Sequence, residues 1–144
     1  MLFVDASALV KRYVREPHSA KVRRMIATGP IAVSRLSEVE VPSALARLFR
    51  ERRLSERGQR RALAALVLDF ESWHVVELTT AVTALARSRL AQYDLRAGDA
   101  IQLASALWLR QALGEGLAGI LAFDTRLVAA AIAERLVLPG RASS

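Results

Sequence analysis

Leu2-Phe3-Val4-Asp5-Ala6-Ser7-Ala8-Leu9-Val10-Lys11-Arg12-Tyr13 is the stretch from which the rest of the chain is read. Leu2-Phe3-Val4 suits a short buried strand, Asp5-Ala6-Ser7 follows, and Ala8 to Tyr13 continues as a helix. Glu16-Pro17 stops that helix, because a residue preceding proline is disfavoured in the helical region. In an open α/β sheet such strand-to-helix junctions gather along the carboxyl ends of the strands, so acids far apart in sequence can share one small cleft.

Working outward, a second helix is expected from Ser19 to about Ala27, broken by Gly29-Pro30 before the strand Ile31-Ala32-Val33. Ser37 to about Arg53 and Ser55 to about Ser72 read as long helices, the latter with Leu63, Leu66, Val67 and Phe70 as its apolar stripe. His74-Val75-Val76-Glu77 is the next strand, and Thr80 to about Tyr93 the next helix. Ala97 to about Leu113 is apolar on nearly every side, through Ile101, Leu103, Ala104, Leu107, Trp108 and Leu109, so it is expected to be buried. Ala118 to Phe123 forms a strand, Asp124 starts a helix to about Glu134, and Leu136-Val137-Leu138 is a candidate edge strand. This alternation predicts a three-layer α/β/α domain with a mostly parallel central sheet of about four or five strands. The domain is expected over residues 1–138, with a disordered tail over 139–144.

At 144 residues the chain can bury a substantial core without covalent staples. It contains no cysteine, which excludes disulfides, thiolate nucleophiles and cysteine-based metal sites. His18 and His74 are the only imidazoles, and neither has a partner at metal-ligand spacing, so both are assigned structural or solvated roles. The formal charge of +7 is carried almost wholly by arginine, which suits a polyanionic substrate but is equally explained by a base-composition bias. Hydrophobic residues make up 53% of the chain, a slight surplus that would cover a dimer interface or a partner groove. No run is long enough to span a bilayer, and Asp5 interrupts the apolar start before a signal-peptide core, so a cytoplasmic protein is expected.

Asp5, Glu40, Asp99 and Asp124 each stand where an apolar run hands over to a helix. Taken singly, each has an ordinary explanation, since acids at helix starts satisfy free N–H groups and complement the helix dipole. Ser37-Glu38-Val39-Glu40 even spells a capping box, with Ser37 as N-cap. Pro42 complicates it, because a proline past the first turn loses a hydrogen bond, so an irregular start or a kink is expected. Taken together, the four carboxylates would repel by about 4 kcal/mol per pair at 4 Å and a dielectric near 20. A cluster of that kind needs a cation.

Val4-Asp5-Ala6-Ser7-Ala8-Leu9-Val10-Lys11-Arg12-Tyr13, with Glu16 shortly after, resembles the opening of PIN-domain proteins of the VapC toxin type. Glu40-Val41-Pro42-Ser43-Ala44-Leu45-Ala46-Arg47 is similar to the family's second acidic motif. Leu95-Arg96-Ala97-Gly98-Asp99-Ala100-Ile101-Gln102-Leu103-Ala104 is similar to the third, and Phe123-Asp124-Thr125-Arg126-Leu127 to the fourth. The resemblance covers nearly the whole chain, in the family's order. It implies that Asp5, Glu40, Asp99 and Asp124 bind metal, and that Ser7 orients the first of them or a bound water. Glu38 and Asp94 are the rival acids. Glu38 lacks the matching downstream residues and points about 200° away from Glu40 on a helix, while Asp94 precedes its helix instead of opening it.

An all-oxygen donor set suits Mg²⁺ or Mn²⁺, which keep several waters and share a substrate phosphate. The resemblance implies hydrolytic RNA cleavage leaving a 5′-phosphate and a 3′-hydroxyl, a small VapB-like antitoxin as partner, and a homodimer. Arg47 through Arg61 either holds RNA phosphates or forms the solvated face of two helices. Three other readings compete: a catalytically silent PIN-like binding module, an RNA-processing nuclease that is not a toxin, and a phosphotransfer receiver. The last lacks an acidic pair after its first strand and a late strand-end lysine.

Overall fold

In the computed structural model, which describes residues 1–139, β1 (Leu2–Val4) is an inner strand of a four-stranded sheet. β2 (Ile31–Ser34) and β4 (Gly119–Leu121) flank it, β3 (His74–Val76) lies beyond β2, and every pairing is parallel. Successive strand side chains point to opposite faces, so each strand feeds two cores. Val4, Ile31, Val33 and Leu121 pack with α1 (Ala6–Tyr13), α2 (Ser19–Ala27), α3 (Ser37–Arg50) and α4 (Glu56–Ser72). Phe3, Ala32, Val76 and Ile120 pack on the other face with α5 (Thr80–Leu90), α6 (Ala97–Leu113) and α7 (Thr125–Ala133). This is the three-layer α/β/α arrangement expected from the alternation.

Strand order places the site. From β1 the chain moves outward to β2 and β3, then crosses back to pair β4 with the opposite edge of β1. Connections diverge at the carboxyl ends of β1 and β4, the position where open α/β sheets hold ligands. Asp5 directly follows β1, and Asp124 follows β4 after Ala122 and Phe123.

Several local expectations are corrected. Leu136-Val137-Leu138 is not a fifth strand: a turn through Arg135 (φ 59°) lays the segment beside β4, where the Val137 carbonyl accepts from Ile120 N–H at 2.9 Å. Gly119 (φ 144°) permits this approach, since an added Cβ would collide with that carbonyl. Trp108 is 41% exposed although its helix is otherwise largely buried. On α4, Leu66 is buried with Ala62, and Leu63 and Phe70 pack partly buried against the same core, whereas Val67, a further 100° around the helix from Leu66, is exposed. Helix α5 ends at Leu90, short of Tyr93. No helix among the described residues is long and apolar enough to cross a membrane. Most of the tail expected to be disordered, residues 140–144, lies outside the described residues.

Candidate active site

Asp5, Ser7, Glu40, Asp99 and Asp124 all line one cleft of about 760 Å³ at the carboxyl ends of β1 and β4. Asp5 is the N-cap of α1, its Oδ1 accepting from Ser7 N–H at 3.1 Å, and its own N–H donates to the Leu121 carbonyl at 3.0 Å. The Ser7 hydroxyl donates to Asp5 Oδ2 and accepts from Phe123 N–H at 3.1 Å. One serine therefore ties the start of α1 to the end of β4. Asp124 is the N-cap of α7, its Oδ1 accepting from Arg126 and Leu127 N–H.

Glu40 arrives differently. Ser37 is not the N-cap of α3: Leu36 is already helical (φ −58°, ψ −31°), Glu40 N–H donates to the Leu36 carbonyl, and the fully buried Ser37 turns inward. The capping box is absent because the Ser37 hydroxyl instead accepts from Gln102 Nε2 at 2.9 Å. The same amide nitrogen reaches Glu40 Oε2 at 3.3 Å. Pro42 lies inside α3, whose start has no side-chain cap. Asp99 stands in the first turn of α6, with its Oδ2 buried and without a hydrogen-bond partner.

Burial is the main reason that the acids here resist ionisation. Asp5 is pushed up to about 7, chiefly by burial and in smaller part by Glu40 and Asp99, against the two hydrogen bonds from Ser7. Glu40 is raised by burial and by Asp99, against the Gln102 hydrogen bond. Asp99 is raised by burial and by Asp124, against Arg96 and Arg126. Among the described residues no three acidic or imidazole side chains stand in a ready-made coordination cage. Mutually repelling carboxylates are expected to stand apart until a cation compensates them. The donor chemistry fits a hard divalent ion: oxygens alone, one of them buried and unpaired, with no histidine on the cleft wall.

The rival acids lie elsewhere. Glu38 is exposed and paired with Arg35 at 2.8 Å, and Asp94 is exposed and faces Arg126 at 3.6 Å. Of the basic segment, Arg47 and Arg53 line the cleft, joined by Lys11 and Arg96 from other elements. His18 stacks on Phe123 with ring centroids 5.2 Å apart, and His74 is exposed on β3. Sequence reasoning did not single out Lys11, Arg96, Gly98 or Gln102. Gln102 carried a usable signal, being a polar residue in an apolar run three residues after Asp99, on the same helix face.

The PIN domain family model matches residues 2–133. Ribonuclease VapC46 of Mycobacterium tuberculosis (strain ATCC 25618 / H37Rv) is 36% identical over 132 residues, covering 88% of this chain and 86% of that protein. The solved structure of Mycobacterium tuberculosis VapC20, described as a sarcin-ricin loop cleaving toxin, superposes with a TM-score of 0.66 at 23% identity, over 90% of this chain and 95% of that one. A toxin–antitoxin complex from Klebsiella pneumoniae gives a TM-score of 0.59 at 17% identity, over 90% and 91% of the two chains. FitAcB from Neisseria gonorrhoeae gives 0.61 at 14% identity, over 92% and 94%. At such identities these three structures speak for the fold alone.

Proposed function

The chain belongs to the PIN domain family, and from that premise we propose that it is a metal-dependent endoribonuclease that hydrolyses RNA phosphodiester bonds as the VapC-like toxin of a toxin–antitoxin pair. The observation that carries this reading is the gathering of Asp5, Glu40, Asp99 and Asp124 in one cleft, where burial and neighbouring acids disfavour the charged forms of Asp5, Glu40 and Asp99. The ribonuclease name of the 36% identical relative supports the reaction class.

Asp5 and Asp99 would hold Mg²⁺ or Mn²⁺ directly. Bound there, either ion supplies Lewis-acid activation of water and charge compensation at the phosphate. Glu40 would bind the ion or orient a water, and Asp124 would offer Oδ2, since its Oδ1 caps α7. Ser7 fixes the rotamer of Asp5 through two hydrogen bonds. Lys11, Arg47, Arg53 and Arg96 ring the acids and draw the RNA phosphates toward them, a sequence-tolerant attraction. No histidine lines the cleft, so the residues here offer carboxylates, not imidazole, for moving a proton. The same reading gives a cytoplasmic homodimer held in check by its antitoxin.

Asp5→Asn tests the proposal. With the fold retained by circular dichroism, RNA cleavage in Mg²⁺ is expected to fall at least about 100-fold, beyond what loss of an outer-shell partner costs. Full cleavage by that variant, or by the native chain in excess chelator, overturns metal dependence. RNA binding without cleavage in either metal points instead to the silent module.

A further inference from the structure

Asp5 and Asp124 are anchored by the helices that they cap, but Glu40 reaches the cleft from the fourth position of a helix whose start has no side-chain cap. What holds its carboxylate comes from α6, about 60 residues away in the chain. We infer that Gly98 and Gln102 are positioning residues for Glu40, forming a two-sided seat in which α6 fixes this carboxylate for the cation. The inference rests on the nuclease reading and deepens it.

Gln102 forms one side. It is 1% exposed, and its Nε2 is shared between Ser37 Oγ and Glu40 Oε2, while its Oε1 is buried without a partner. The amide has to present its N–H₂ here, because the reverse orientation would set Oε1 against the Glu40 carboxylate. A buried, unpaired carbonyl is costly to folding, and an apolar side chain in the same place would avoid it. The amide answers to the two oxygens it holds, Ser37 Oγ and Glu40 Oε2. Gly98 forms the other side: an added Cβ would collide with Glu40 Oε1 and lie 3.5 Å from Glu40 Cδ. Glycine is a poor helix residue relative to alanine, so its presence in the first turn of α6 also runs against local stability. Asp99 lies between the two, so one turn of α6 both supplies a carboxylate and seats another.

The test separates seating from folding. The clash in Gly98→Ala falls on the far end of a flexible side chain, so the chain can fold while Glu40 swings aside; Gln102→Met keeps volume and removes the amide. Mn²⁺ alone is titrated calorimetrically into the native chain and both variants, with metal-free melting curves and steady-state RNA cleavage measured in parallel. Each variant is expected to lose Mn²⁺ affinity and kcat by about tenfold, the range for a supporting residue. Melting temperature should be equal or higher for Gly98→Ala and lower for Gln102→Met, which strands the buried Ser37 hydroxyl, with KM for RNA within about twofold in both. In the Glu40→Gln background both substitutions should add nothing further. Native Mn²⁺ affinity in either variant, or losses that add to that of Glu40→Gln, overturns the inference. If the native chain neither binds Mn²⁺ nor cleaves RNA, the nuclease reading has failed and the seat falls with it.

Discussion

Asp69 and Asp5 are both withdrawn from solvent in the layer formed by α1 and α4, and the fold treats them in opposite ways. Asp69 on α4 receives Arg12 Nε at 2.7 Å, Arg12 Nη2 at 3.0 Å and the Tyr13 hydroxyl at 2.6 Å, and the guanidinium lies over the Trp73 ring at 5.3 Å. Charge is matched by charge within the chain, and burial together with Asp69 keeps the Tyr13 phenol protonated. Asp5, only 3% exposed, meets a serine hydroxyl and a backbone N–H, and the charges that act on it are those of Glu40 and Asp99. Near Asp69 the fold brings a cation; around Asp5 it brings more acid. An acid whose counter-charge comes from its own chain has been made structural. One surrounded by further acids is left to be satisfied from outside.

The largest expected consequence is a stability that depends on pH through Asp5. Its folded-state value of about 7 lies above the ordinary aspartate value of 3.8, so the folded protein binds the proton more tightly than the unfolded chain does. A raised carboxyl is without penalty below the unfolded value and loses stability as pH climbs toward the folded value. Metal-free protein should therefore lose about 4 kcal/mol of unfolding free energy between pH 4 and pH 8. Asp5→Asn should flatten that slope and be the more stable protein at pH 8, as should saturating Mg²⁺ in the native chain. Urea unfolding across this range checks it. A rise in metal-free stability with pH, with Asp5→Asn weaker at pH 8, would place Asp5 in the same class as Asp69.

Asp69→Asn should show the opposite sign with a smaller effect. Removing the charge leaves Arg12 with a neutral partner, at a cost of about 1.5–3 kcal/mol, the usual range for hydrogen bonds to charged groups. RNA cleavage should stay within twofold of the native rate, because Asp69 does not line the cleft. A stabilised Asp69→Asn, or one that no longer cleaves, would erase the distinction between the two regions.

The strands and the members of the acidic set were legible because their signals are local. Ala97–Leu113 was readable end to end from its apolar surround and the glycines that follow, and Asp5 and Asp124 from their places at strand ends. What stayed hidden depends on neighbours far along the chain. Ser37 reads as a capping serine until Gln102 claims its hydroxyl, and Gly98 reads as an ordinary glycine until Glu40 is found packed against it. Val137 carries a strand-like sequence, yet the chain turns at Arg135 and offers the sheet a carbonyl, not a ladder. Trp108 matches the apolar run of α6 but is 41% exposed. Periodicity tells which residues share a face; it does not say what that face will meet.

The smallest expected effect gives the finest discrimination, because it concerns two acids separated by one residue. Glu38 and Glu40 occupy the first turns of α3, and a step of two residues rotates the side chain by about 200°. Glu38 therefore points outward to Arg35, a pair exposed on both sides, and Arg35 keeps Glu77 as a second partner through Nε at 2.9 Å. Glu38→Gln should cost at most about 1 kcal/mol, less still in high salt, and leave cleavage unchanged. Glu40→Gln removes a charge that burial and Asp99 already disfavour, so it should match or exceed the native chain in stability while cleaving at least about tenfold more slowly. Measured side by side, these two glutamines ask whether function on α3 follows composition or direction. If both variants cleave alike, the orientation of the helix is not what selects the acid.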